Sequence, residues 1–100
     1  MNIVIQRTIE DAIANRNLIK FSYHGYERIV EPHVFGIYRD RLQLLAFQVG
    51  GQSGSRPMGW PRFNLEEALS LVGVSEHFSG PRPVTSGRSS KWDDIFAVVM

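Results

Sequence analysis

Leu18-Ile19-Lys20-Phe21-Ser22-Tyr23-His24-Gly25-Tyr26-Glu27-Arg28-Ile29-Val30-Glu31 reads as a β-hairpin. Ile19, Phe21 and Tyr23 alternate with Lys20 and Ser22, so one face of the first strand is apolar and the other polar. His24-Gly25 is the turn, because glycine reaches the positive-φ backbone that a tight hairpin needs. Tyr26 to Glu31 is the return strand. Pro32 has no amide to give a ladder and marks an end, an edge or a bend.

Downstream the pattern stays β. Val34 to Tyr38 and Arg41 to Val49 flank Arg39-Asp40, a second tight turn. The Arg41 to Val49 run is nearly all apolar, as in a strand covered on both faces. Gly50 to Pro57, rich in glycine and serine, reads as a long hairpin loop. Gly59 to Leu65 and Ala68 to Val74 give further strands, although Asn64 followed by Glu67 equally fits the cap of a short helix. Upstream, Ile5, Ile9 and Ile13 with Ala12 form an apolar stripe at helical spacing. Asn15 and Asn17 offer a left-handed stop to that helix. Gly80 to Ser90 reads as a linker. Residues 91–100 then fit a short C-terminal helix, with Ser90 as N-cap, Asp93 and Asp94 in the first turn, and Trp92, Ile95, Phe96 and Val99 on one face. The β-branched run from Ile95 leaves a strand as the alternative. A helix ahead of five or six short strands predicts a mainly β chain with a strongly bent sheet or barrel.

At 100 residues there is room for one domain, burying roughly 60–70% of its unfolded surface. The absence of cysteine excludes disulfides, thiolate-bound metal and a cysteine nucleophile, and favours a cytoplasmic setting. Eleven basic against ten acidic side chains argue against a strong non-specific nucleic-acid binder. No apolar run approaches membrane-spanning length, and no basic segment leads into an apolar one as a signal peptide would, so no membrane association is expected.

The chemistry-bearing motifs are mostly negative. His24, His33 and His77 lack a metal-ligand spacing. Gly51-Gln52-Ser53-Gly54-Ser55 misses the last glycine of a nucleophile elbow. Glu66-Glu67 and Asp93-Asp94 are neighbours, which point different ways and make no acid–base dyad. No enzyme and no cofactor are expected. Arg28 beside Tyr26, and Arg62 beside Trp60 and Phe63, are more suggestive, since a guanidinium grips oxygens while a ring stacks on a base. Arg39, Arg41 and Arg56 lie in or beside the turns. The plain alternative is that these arginines pair with Glu27, Glu31, Asp40, Glu66 or Glu67 on an ordinary surface.

From about Ile9 to Phe78 the chain resembles the WYL domain of bacterial regulators. Glu10-Asp11-Ala12-Ile13 followed by Leu18 to Tyr23 is similar to that family's helix-then-strand opening. Arg28-Ile29-Val30-Glu31-Pro32 is similar to its R-x-V-x-P segment. Leu42-Gln43-Leu44 stands at the naming motif, with only the leucine kept, and Arg62 to Ala68 stands at the family's R-x-F-x-x-D-R-I-like stretch, with Glu67 in place of its second arginine. The resemblance implies a small Sm-like β-barrel over residues 1–79 and a ligand-sensing role in transcription regulation. The ligand implied is a nucleotide or single-stranded nucleic acid. The site would be Arg28, Arg62 and His33, with Gln43 and Tyr26 beside them. The substitutions at Gln43 and Glu67 motivate a second expectation, a protein–protein module or homodimer docking through Trp92, Ile95, Phe96 and Val99, with the alternative that this segment packs back on its own domain.

Overall fold

Isoleucine at every fourth position builds helix α1, Ile3–Asn15, whose Ile9, Ala12 and Ile13 are buried while Ile5 packs at the rim of the core. The computed structural model describes residues 3–51, 60–82 and 91–100. Gly50 and Gly51, expected to open a loop, instead end a strand that runs from Arg41. The rest of the expected 50–57 loop and of the elbow-like glycine–serine run, Arg56, the Ser90 cap and most of the 80–90 linker fall outside the described residues. The helix stops at Arg16, whose φ of 59° takes the left-handed position expected of Asn15 or Asn17. The Arg16 guanidinium donates to the Met100 carbonyl oxygen from Nε (3.0 Å) and Nη2 (2.6 Å).

The strands follow as β1 (Asn17–Tyr23), β2 (Tyr26–Tyr38), β3 (Arg41–Gly51), β4 (Arg62–Asn64), β5 (Ala68–His77) and β6 (Asp94–Val98). All pairings are antiparallel, in the order β4-β3-β2-β1-β5, with β6 also on β2. Both hairpin turns fall where the sequence puts them. His24 and Gly25 have φ of 51° and 82°, and Arg39 and Asp40 have 52° and 63°. The Arg39 amide donates to the Asp93 carboxylate (2.7 Å), which helps hold the second turn in a conformation arginine rarely adopts. Asn64 satisfies both of its readings, ending β4 and capping a single 3₁₀ turn, Leu65–Glu67.

Pro32 neither ends nor edges β2; it bends it. Tyr26 to Val30 pairs with β1, and Val34 to Ile37 pairs with β6 on the same side. Pro32 lies between the two ladders, so its missing N–H costs neither of them a bond. His33 is the extra residue of a bulge opposite β3. The C-terminal helix is corrected by β6. Past the end of β1, the second half of β2 offers an unpaired edge, and the β-branched residues fill it with ladder bonds a lone short helix could not match. Gly36 makes the approach possible, since a Cβ there would collide with the Asp94 carbonyl oxygen. Asp93, expected in the first turn of a helix, instead accepts from the Arg39 amide.

Five strands laid flat would put β4 about 19 Å from β5. The chain from Asn64 to Ala68 spans at most roughly 14 Å. The sheet is therefore strongly curled, and the Asn64 amide reaches across to the Tyr23 hydroxyl (3.0 Å). No ladder joins β4 to β5 among the described residues, so the curl stays open. Its concave side holds Ile19, Phe21, Tyr23, Val30, Phe35, Leu44, Phe63 and Leu65, with α1 against it. Phe63 meets the rings of Phe21 and Tyr23 edge-on, each at 4.9 Å. No helix among the described residues is long and apolar enough to cross a membrane.

Candidate functional site

The hairpin register sets Arg28 opposite Phe21 on the core side of β2. Its guanidinium lies over the rings of Tyr23 (5.5 Å), Phe63 (5.7 Å) and Tyr26 (5.9 Å). Nη1 donates to Gln48 Oε1 (3.3 Å) and Nη2 to the Tyr23 carbonyl (3.4 Å), both long bonds. Nε is buried without a partner. Among the described residues no carboxylate pairs with Arg28. A half-buried cation held by rings and neutral acceptors retains its affinity for an anion. Tyr26, 39% exposed, gives that place an accessible aromatic face.

Arg62 does not converge with Arg28. It neighbours Phe63, and successive side chains of a strand point to opposite faces, so Arg62 lies on the convex side. There Nε donates to Gln43 Oε1 (2.7 Å) and Nη2 to the Lys91 carbonyl. Its guanidinium lies over Trp92 (4.0 Å) and Tyr38 (5.0 Å). Desolvation by this packing lowers the Arg62 pKa from its ordinary value. Gln43 thus joins Arg62, and Tyr26 joins Arg28, as two separate groups.

His33 belongs to a third group. It is 3% exposed, stacked on Phe78 (5.5 Å) and edge-on to Trp60 (4.7 Å). Nε2 faces the Arg82 amide (3.1 Å), which can only donate, and Nδ1 faces the Glu31 carbonyl (2.8 Å), which can only accept. The ring is therefore the neutral tautomer protonated on Nδ1. Burial lowers its pKa, against smaller raising effects from Glu31. Arg82, placed by the sequence in a linker, grips the nearly buried Glu31 carboxylate with two bonds (2.6 and 3.0 Å) and lies over Phe47 (4.2 Å). The Glu31 hydrogen bond raises the Arg82 pKa further.

The surface-pairing alternative holds for Arg41 with Glu66 (3.1 Å) and not for Arg28 or Arg62. His24 pairs with Glu67 on the exposed hairpin end. Sequence reasoning missed Gln48 and Arg82. A lone amide inside the apolar Leu44 to Val49 run was the available signal for Gln48. Arg82 carried no local signal. No group of three or more metal-capable side chains converges among the described residues. Comparisons with protein-family models, curated proteins and solved structures found no match for this chain.

Proposed function

We propose that this chain is a WYL-like ligand-binding domain, its curled sheet a small Sm-like barrel, that takes a nucleotide or single-stranded nucleic acid at Arg28. The observation that carries the reading is the Arg28 guanidinium, half-buried against aromatic rings with no carboxylate to neutralise it among the described residues. A phosphate oxygen meets the guanidinium and a base stacks on Tyr26. The Arg28-to-Pro32 motif and the helix-then-hairpin order support the family. The short turn between the two end strands supports the barrel. In this reading the domain works as a cytoplasmic sensor in bacterial transcription regulation, without catalysis.

The test is fluorescence anisotropy of a labelled single-stranded oligonucleotide at low and moderate salt, with free nucleotides as competitors. Saturable binding that weakens with salt and is lost in Arg28→Ala is the expected result. No binding of either ligand up to about 100 μM, the weak limit of non-specific contacts, overturns the reading.

A second reading, a protein–protein module or homo-oligomer, draws on β6, which leaves Ile95, Phe96 and Val98 exposed. Val99 is buried and Trp92 half-buried against Arg62, so only part of the expected docking stripe faces outward. A concentration-dependent mass in solution would favour it.

A further inference from the structure

Gln48 is a buried polar side chain to which the ligand reading gives no part. It is 1% exposed and lies on β3 opposite Val30. The ladder is irregular beside it: Val30 pairs with Gln48, but the adjacent Ile29 pairs with Gly50, so Val49 is passed over. A buried amide is costly unless its atoms are bonded. Here Nε2 donates to the Gly50 carbonyl oxygen (3.2 Å), and that bond fixes which way the amide faces. Oε1 is thereby presented to Arg28 Nη1 (3.3 Å).

The chemistry of that position is unusual for what it omits. An arginine in such surroundings ordinarily meets a carboxylate, which takes up its charge in paired bonds. The molecule itself contains that arrangement, in Arg82 on Glu31. Beside Arg28 the side chain is the neutral isostere of glutamate. We propose that Gln48 is the positioning residue that sets the anion affinity of the Arg28 site, aiming the guanidinium while leaving its charge unspent. The inference rests on the Arg28 reading above. It adds that Arg28 and Arg62 do not share one oxyanion, since Arg62 lies on the other side of the sheet.

The test compares wild type, Gln48→Glu and Gln48→Met in the titration of a labelled oligothymidylate, together with ligand-free melting. Gln48→Glu places a carboxylate against Arg28. Binding is expected to weaken by about tenfold or more. The salt dependence should also flatten by about 0.7 in the log–log slope, one phosphate contact for a single strand. Ligand-free Gln48→Glu is expected to melt at or above Gln48→Met, because its carboxylate is paired. Gln48→Met removes the aim and leaves the charge, so it should bind a few-fold more weakly than wild type with an unchanged salt slope. Gln48→Glu binding within about twofold of wild type overturns the inference and leaves the site intact. Gln48→Glu melting below Gln48→Met overturns it too, since the carboxylate then fails to meet Arg28. A wild type that does not bind overturns the site, and the inference with it.

Discussion

Arg28 and Arg62 are the same side chain on one curled sheet, each laid against aromatic rings, and the chain uses them in opposite ways. Around Arg62 the C-terminal segment supplies a carbonyl, an indole and the strand behind them, and Gln43 Oε1 accepts a short bond from Nε. Around Arg28 the bonds are long, one donor nitrogen has no partner and no carboxylate approaches among the described residues. Aromatic neighbours therefore do not by themselves separate a site from a clamp. What separates them is how well the donors are matched: Arg62 Nε donates at 2.7 Å, whereas Arg28 Nε is buried without a partner. Arg62 fastens β6 to the sheet, and Arg28 is left to meet something from outside.

The sharpest way to break this contrast is to remove the clamp from beneath. Gly36→Ala drives a methyl into the Asp94 carbonyl and should cost roughly 3 kcal/mol in urea unfolding, with the Trp92 environment becoming more polar. An unchanged unfolding midpoint would mean that close approach does not hold β6. Next come the two arginines themselves. Arg62→Ala should lower stability by about 1–3 kcal/mol, through the lost stacking and hydrogen bonds, and leave anion affinity unchanged. Arg28→Ala should instead weaken anion binding by about tenfold or more. If Arg62→Ala weakens anion binding as Arg28→Ala does, the contrast is wrong.

A smaller effect concerns pH. His33 has a pKa below its unfolded value near 6.5, so the native state binds fewer protons than the unfolded chain. Its contribution is fully present above the unfolded value and is lost as pH falls through it toward the depressed native one. Urea midpoints should therefore drop between about pH 7.5 and about pH 5.5, and His33→Gln should show less of that drop. An equal drop in the variant would remove His33 as its source. Smallest of all is Arg41→Ala. That exposed arginine is paired with Glu66, and its loss should stay within about 0.5 kcal/mol by thermal melting, with anion binding untouched.

The readable parts of the fold were those with local causes. The isoleucine spacing of α1, the alternation in β1 and the two turn dipeptides each carry their physics within a few residues. Residues 91–100 did not, because the same side chains satisfy a helical stripe and a β-branched strand. The choice was made at a distance, by the open edge of β2 and by Gly36. The left-handed arginine that ends α1 likewise has its partners far along the chain, Phe78 on its carbonyl and Met100 on its guanidinium. For the site, Arg28 and Tyr26 were legible as neighbours in one strand. The separation of Arg62 from Arg28 was not, since it depends on which face of which strand each occupies. Arg82 was hidden because it sits in a Gly- and Pro-rich stretch with no local pattern, 51 residues from its partner Glu31.

The two halves of β2 also differ in when their neighbours can arrive. β1 and β3 reach it across two-residue turns, whereas Val34 must find Val98 with more than half the chain between them. Closing so long a loop defers that pairing until the hairpins have already collapsed. The last element to dock is joined to the sheet by a single ladder along one edge, so it is also expected to leave ahead of the hairpins. Amides of Asp94–Val98 should then exchange with solvent through a local opening, while those of Phe21, Val30 and Leu44 wait for the whole domain to unfold. Equal protection in the two sets would contradict that order. Each such opening takes Lys91 and Trp92 away from Arg62 while Gln43 and Tyr38 still hold it, so the guanidinium stays on the sheet when the strand leaves.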